Sequence, residues 1–223
     1  KDHREFLDEI SIKLGAKIGL LSYRLAPENP FPAAFDDVVD ALRYLSDNNP
    51  GPIVIMADSA GAALSLSAMM SFLEERLPIK VACAVFLSAY TDLANTGISL
   101  VANANKDPLF GVQALIHKTY HYLQGHNPTD PKCSPFWGNP TGLPRSLFLV
   151  GSTEVLLSDS MRMVERGKSC DCDFRLSIYE RAPHDFPLHT QLSEARHARL
   201  EIVEYIRDSV DRYQREAQLL QNR

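Results

Sequence analysis

The sequence has few cysteines, no excess of positive charge and no long apolar run, and each shortage excludes a class of protein. The net charge of −5 and the pI near 5.8 argue against a surface for nucleic acid or anionic membrane. The strongest apolar run, Val81 to Tyr90, has the length of a strand and is too short for a bilayer. The first residues, Lys-Asp-His-Arg-Glu-Phe, lack the apolar core of a signal peptide. We therefore expect neither a nucleic-acid partner nor a membrane span.

The cysteines Cys83, Cys133, Cys170 and Cys172 show neither zinc-type nor redox-type C-x-x-C spacing. Cys170 and Cys172 are separated by one residue, a spacing that could suggest a soft metal. Two thiolates alone do not complete a tetrahedral zinc site. We therefore expect no metal site, and reduced thiols in a reducing, cytoplasmic compartment.

The alternation of β-rich and helical segments predicts an α/β domain. The 223 residues suffice for one buried core, and 45% hydrophobic with 23% charged residues is typical of a globular protein. We expect strands at 16–23, 53–57, 81–88, 146–150 and 174–179. We expect helices at 2–14, 33–45, 60–75, 112–123, 161–168 and 193–220. Strands that alternate with helices indicate a mostly parallel sheet with helices on its faces.

Residues 92–144 interrupt this alternation. They contain an expected helix and then a tract rich in proline, glycine and asparagine. Such an excursion between two strands is typical of a lid or pocket wall, so we expect a single domain over 1–223 that carries one. Its aromatic residues could line an acyl pocket, but their default interpretation is packing of the excursion against the sheet: Phe110, Tyr120, Tyr122, Phe136 and Trp137.

A serine lies at the abrupt change from an expected strand to an expected helix. The segment Ala57-Asp58-Ser59-Ala60-Gly61 resembles the G-x-S-x-G elbow, with alanine in place of the first glycine. A serine on such a turn exposes its hydroxyl above the sheet, and the following N–H can face an oxyanion. The alternative is an ordinary serine N-cap. The motif alone does not decide between the two.

A base and an acid follow the serine in the order that a serine hydrolase needs. His184 comes after the last expected strand, and Glu154 comes after the strand before it. The carboxyl ends of parallel strands meet at one sheet edge, so both loops are expected near Ser59. Asp159 is a second candidate for the acid, although its context also fits the cap of the next helix. Three candidates in the correct order favour nucleophilic catalysis.

Short motifs through nearly the whole chain carry a family resemblance. They are Tyr-Arg-Leu-Ala-Pro-Glu at 23–28, Pro-Phe-Pro-Ala-Ala at 30–34, Asp-Ser-Ala-Gly at 58–61, Ser-Ala-Tyr-Thr-Asp-Leu at 88–93, Gly-Leu-Pro at 142–144, Gly-Ser-Thr-Glu-Val-Leu-Leu at 151–157 and Pro-His-Asp-Phe at 183–186. With these motifs the chain resembles the hormone-sensitive-lipase-like esterases of the α/β-hydrolase superfamily.

The resemblance implies an α/β-hydrolase fold and hydrolysis of carboxylic esters with short to medium acyl chains, without metal or organic cofactor. It implies Ser59 as nucleophile, His184 as general base and Glu154 as acid, with Asp159 as the rival acid. The N–H of Ala60 is the expected oxyanion donor, and the substrate-binding residues are unassigned. In this family the last strand and helix can form a dimer contact, so a homodimer is a further expectation.

The sequence departs from the family at one important place. The family's His-Gly-Gly-Gly loop, which supplies most of its oxyanion hole, does not occur in the 223 residues. The strands before that loop and the capping helices are also expected to be missing. We therefore expect either a piece of a longer enzyme or a shortened relative with impaired activity. Two rival functions are a binding protein on a hydrolase fold and another serine hydrolase, such as an amidase or peptidase.

Overall fold

The computed structural model describes residues 2–78 and 80–221, in which strands and helices alternate. The strands are β1 Ile53–Asp58, β2 Val81–Leu87, β3 Ser146–Gly151 and β4 Phe174–Tyr179. The helices are α1 Asp2–Leu14, α2 Ala33–Asn48, α3 Ser59–Glu74, α4 Ser99–Ala102, α5 Val112–Leu123, α6 Leu157–Ser169 and α7 Ser193–Gln221. Short 3-10 helices lie at Pro135–Trp137 and Phe186–Leu188.

The four strands form one parallel sheet in the order β1-β2-β3-β4. All residues of β2 and β3 are buried, because helices cover both faces of the sheet. The carboxyl ends of the strands meet at one edge, where Asp58 pairs with Leu87, Leu87 with Leu149 and Gly151 with Tyr179. The predicted parallel sheet with flanking helices is confirmed.

Alternate residues of the central strands enter two different cores. Phe86 of β2 and Phe148 of β3 lie on the face covered by α2, α3 and α6, with ring centroids 4.9 Å apart. Val85 and Leu147 lie on the opposite face, against α1 and α7. Alternate residues of a strand point to opposite faces of the sheet, and both faces are covered here. The strands are therefore continuous apolar runs in the sequence.

Residues 92–144 form α4, α5 and one 3-10 helix, and no residue between 92 and 144 is in a strand. Their apolar side chains pack in a third cluster with the segment that follows β3: Leu93, Leu100, Leu115, Leu123, Val155 and Leu156. The excursion therefore lies over the carboxyl edge of the sheet, beside the loops that follow the strands.

The strand expected at 16–23 does not form. Residues 16–25 have no regular structure, and Leu20 is 74% exposed. A strand requires a neighbour for its backbone N–H and C=O groups. In the described ranges β1 pairs with β2 alone, and residues 16–23 have no strand beside them. The other expected strands and helices are present, with ends that differ by a few residues.

No helix within residues 2–78 and 80–221 is long and apolar enough to cross a membrane. The longest, α7, carries charged residues through its length. All four cysteines lie in the described ranges and are free thiols.

Phe148 tests the core on the α3 side of the sheet. Its ring is fully buried between Phe86 and Phe174. Phe148→Ala should lower the free energy of unfolding by about 3–5 kcal/mol, because it removes buried apolar surface and leaves a cavity. Urea denaturation measures this loss. Ile12→Ala, at a side chain that is 81% exposed, should leave the unfolding midpoint almost unchanged.

Candidate active site

Ser59 lies on a tight turn between β1 and α3. Its φ of +48° is uncommon for a residue other than glycine. The N–H of Tyr90, which follows β2, donates a hydrogen bond to the carbonyl of Ser59 at 3.1 Å. This bond ties the turn to the neighbouring strand end. Backbone strain of this kind is concentrated at functional sites.

The alanine at position 57 fits the turn. A Cβ built on Gly61 would lie 3.7 Å from the Cβ of Ala57, which is an ordinary van der Waals contact. The helix start and the strand end therefore approach closely without a clash. The methyl group of Ala57 therefore does not crowd Gly61 at the start of α3.

Ser59, His184 and Glu154 form a continuous hydrogen-bonded chain. His184 Nε2 lies 3.1 Å from Ser59 Oγ, and His184 Nδ1 lies 3.0 Å from Glu154 Oε2. Glu154 is fully buried and His184 is 3% exposed. A serine, an imidazole and a carboxylate in this order can perform acyl transfer, because the imidazole can take the hydroxyl proton while the carboxylate stabilises its charge.

The loop that carries Glu154 depends on a glycine. A Cβ on Gly151 would lie 1.9 Å from the carbonyl oxygen of Ala182, so only glycine allows this loop to approach the loop of His184. The N–H of Gly151 also donates to Glu154 Oε1 at 2.6 Å. The same residue therefore brings the two loops together and orients the acid.

Burial and hydrogen bonding shift the pKa values of Glu154 and His184 in opposite directions. Burial raises the pKa of Glu154, whereas its hydrogen bonds to His184 and to the Gly151 N–H oppose that rise. Burial lowers the pKa of His184, but hydrogen bonds to Asp185 and Glu154 outweigh it and raise this pKa to about 10. Asp185 Oδ2 lies 3.1 Å from His184 Nε2, the nitrogen that faces Ser59. Asp185 therefore stabilises the protonated imidazole.

Asp159 lies apart from this chain. Its carboxylate accepts hydrogen bonds from the N–H groups of Thr91 and Asp92, at 2.8 and 2.9 Å. Burial raises its pKa to about 7 despite these donors. Asp159 thus fastens the start of the excursion to α6, and Glu154 is the carboxylate that contacts the histidine.

A largely apolar cavity of about 270 Å³ opens beside Ser59. It is lined by Tyr23, Arg24, Leu25, Ala26, Ala34, Ser59, Ala60, Ala63, Leu64, Tyr90, Leu93, Phe110, Leu115, Lys118, Thr119, Tyr122 and Cys133.

Ala60 is the second residue of α3, so its N–H has no partner within the helix. This N–H remains available next to Ser59.

Two of the five candidate aromatic residues line this cavity. Phe110 and Tyr122 belong to its wall, and the Phe110 ring lies edge-on to the imidazole of His184, with centroids 4.4 Å apart. Tyr120 is 69% exposed, and Phe136 and Trp137 do not line the cavity. Helical spacing explains the difference between Tyr120 and Tyr122, because Tyr120 lies on the outer face of α5.

Two residues that contact the catalytic candidates were not among the site residues expected from the sequence, although Asp185 was expected to form local hydrogen bonds. Ser88 donates a hydrogen bond to Glu154 Oε1 at 2.8 Å, and Asp185 contacts the imidazole of His184. The position of Ser88 at the end of an apolar strand was a usable signal. For Asp185 the sequence carried no signal beyond its place next to the histidine.

Known proteins are similar to this chain in sequence and in structure. A family model described as the alpha/beta hydrolase fold matches residues 1–188. An esterase of Acinetobacter venetianus is 32% identical over 91% of this chain and 68% of that protein. An acetyl-hydrolase of Streptomyces hygroscopicus is 37% identical over 72% of this chain and 54% of that protein. The crystal structure of an esterase from the bacterial hormone-sensitive lipase family superposes with a TM-score of 0.89 and 34% identity, over 93% of this chain and 71% of that one.

Variants of the two acidic candidates should separate their roles. Glu154→Gln should lower kcat for a p-nitrophenyl ester by roughly 10³- to 10⁴-fold with the fold intact, because a neutral amide cannot stabilise the imidazolium. Asp159→Asn should lower the free energy of unfolding by about 1–3 kcal/mol and change kcat little, because it weakens buried hydrogen bonds. Equal losses of kcat in the two variants would contradict this assignment.

Asp185 should set the pH dependence of activity. The base must be neutral, and the pKa of His184 is raised, so kcat/KM should increase with pH through a limb above the ordinary value near 6.5. Asp185→Asn removes a carboxylate that favours the protonated imidazole, so this limb should move to lower pH. Asp40→Asn, at an exposed residue of α2, is the control. A limb that stays in place in Asp185→Asn would disprove the effect.

Proposed function

The chain belongs to the α/β-hydrolase family as a carboxylic ester hydrolase of the hormone-sensitive-lipase type, and we propose that Ser59, His184 and Glu154 are its catalytic triad. The family resemblance expected from the motifs is confirmed. The observation that carries the proposal is the hydrogen-bonded chain from Ser59 Oγ through His184 to Glu154.

In the first step Ser59 Oγ attacks the carbonyl carbon of the ester while His184 Nε2 takes the hydroxyl proton. The oxygen of the tetrahedral intermediate accepts a hydrogen bond from the N–H of Ala60. The imidazolium then gives its proton to the leaving alcohol oxygen, and the acyl group remains on Ser59. Glu154 stabilises the imidazolium through Nδ1.

In the second step the same groups release the acid. Water enters where the alcohol left, and His184 takes one of its protons as the water oxygen attacks the acyl carbon. The tetrahedral intermediate collapses, the proton returns to Ser59 Oγ and the carboxylic acid leaves. Ala60 is the one oxyanion donor that we assign, and loss of a single such donor typically costs an enzyme about 10²–10³ in rate.

The cavity beside Ser59 supports esters with short to medium acyl chains. Its volume of about 270 Å³ is near the lower end of small-molecule sites, and most of its lining is apolar. Residues of the excursion supply seven of the seventeen lining residues, among them Leu93, Phe110 and Leu115. We assign residues 92–144 to the pocket wall of a single domain.

A homodimer and a cytoplasmic location remain predictions. β4 is an edge strand that pairs with β3 alone in the described ranges, and its Ile178 is 46% exposed. An open edge next to the charged helix α7 is compatible with a contact between two copies. The free thiols are compatible with a reducing compartment.

Covalent labelling tests the nucleophile directly, and it does not depend on fast turnover. A fluorophosphonate should attach to Ser59 with loss of fluoride, because His184 can remove the hydroxyl proton. Mass spectrometry of the labelled peptide identifies the site. Ser59→Ala should abolish labelling and His184→Ala should slow it strongly, whereas Ser46→Ala on α2 should label at the wild-type rate.

The same preparation separates an esterase from an amidase or peptidase. The p-nitrophenyl ester of a short acid should be cleaved much faster than the matched p-nitroanilide. Faster cleavage of the anilide would favour an amidase. Folded protein that is neither labelled nor active would favour a binding protein built on this fold.

A further inference from the structure

Ser88 stands at the carboxyl end of β2 in an unusual conformation. Its φ is +47°, a value that costs free energy for any residue with a Cβ, and the residue is fully buried. The N–H of Ser88 donates to the carbonyl of Leu149 at 2.8 Å, which holds this backbone against β3. The strained backbone directs the hydroxyl toward the loops that follow β3 and β4.

The Ser88 hydroxyl joins both of these loops. It donates a hydrogen bond to Glu154 Oε1 at 2.8 Å, and it accepts one from the N–H of Asp185 at 2.9 Å. Asp185 directly follows His184 and itself has a φ of +51°. The Ser88 hydroxyl is therefore hydrogen-bonded both to the carboxylate that contacts the imidazole and to the backbone of the residue that follows His184.

We propose that Ser88 is a positioning residue for ester hydrolysis, which fixes the carboxylate of Glu154 and the loop of His184 in one relative orientation. The proposal rests on the triad proposed above, since it acts through Glu154 and His184. Ser88 forms no hydrogen bond with Ser59 in the described residues, and it takes no proton in the reaction.

The hydrogen bonds of Glu154 explain how Ser88 would act. Glu154 Oε1 accepts from the Ser88 hydroxyl and the Gly151 N–H, which leaves Oε2 directed at His184 Nδ1. With both donors in place the buried carboxylate is held in one orientation. Without the hydroxyl, Oε1 keeps one donor and the partly buried N–H of Asp185 loses its acceptor. The carboxylate and the histidine loop can then both shift.

A glycine would adopt the positive φ of Ser88 more easily than a residue with a Cβ. Alanine and glycine variants can therefore separate the effect of the hydroxyl from that of the backbone strain. Ser88→Ala removes the hydroxyl and keeps the strain, whereas Ser88→Gly removes both the hydroxyl and the strain. If the hydroxyl matters for catalysis, both variants should lose activity to the same extent, although Ser88→Gly should be the more stable of the two. A purely structural role predicts that activity follows stability instead.

The first experiment measures kcat and KM for a p-nitrophenyl ester with wild-type protein, Ser88→Ala and Ser88→Gly. We expect kcat to fall about 10- to 100-fold in both variants, the effect of one hydrogen bond to a charged group, with KM nearly unchanged. The control is Ser46→Ala, since Ser46 is also buried and its hydroxyl has no hydrogen-bond partner in the described part of the chain. It should retain the wild-type kcat.

A double-mutant cycle with Glu154→Gln then tests whether Ser88 acts through the acid. If it does, Ser88→Ala should lower the rate of fluorophosphonate labelling much less in the Glu154→Gln background than in wild-type protein. Fully additive losses, or a loss in Ser88→Ala that Ser88→Gly restores, would overturn the proposal. Wild-type protein that is not labelled at Ser59 would instead show that the proposed triad fails, so the two failures are distinguishable.

Discussion

The buried contact between Glu154 and His184 is the interaction on which the site depends. A carboxylate in an apolar interior is costly unless it is hydrogen-bonded and paired. Here the acid has three partners, which are the imidazole, the Ser88 hydroxyl and the Gly151 N–H. They hold the charge in a fixed position. The arrangement is built into the fold, because each partner comes from a loop or strand end at the same sheet edge.

The parallel sheet is what brings these groups together. β1, β2, β3 and β4 end side by side, and they are followed by Ser59, Ser88, Glu154 and His184 respectively. Residues that are far apart in sequence therefore meet within hydrogen-bond distance. Three of the residues at this edge have positive φ, namely Ser59, Ser88 and Asp185. Backbone strain that collects at one edge is compensated by the core on both faces of the sheet.

Sequence reasoning predicts the features of the fold and the site that leave a local or periodic pattern in the sequence. The apolar runs of β2 and β3 identify buried parallel strands, and their order places Ser59 and His184 at one edge. The choice between Glu154 and Asp159 was open, because sequence spacing does not tell which way a side chain points. In the structure the first turn of α6 directs Asp159 toward the backbone of Thr91.

The features that the sequence predicted wrongly or did not predict depend on contacts between residues that are far apart in the chain. Residues 16–23 have the composition of a strand, but strand formation requires a pairing partner that composition does not reveal. The role of Ser88 follows from a positive φ and from two loops that meet only in the folded chain. The tolerance of alanine at position 57 likewise depends on a distance across the elbow.

The most direct test of the central claim is a ¹H NMR spectrum of the His184 ring. A proton on Nδ1 that is held in a buried hydrogen bond to the Glu154 carboxylate should resonate far downfield and exchange slowly with water. The account predicts that this resonance is lost in Glu154→Gln and retained in Asp159→Asn. A downfield signal that survives the first substitution and disappears in the second would contradict it.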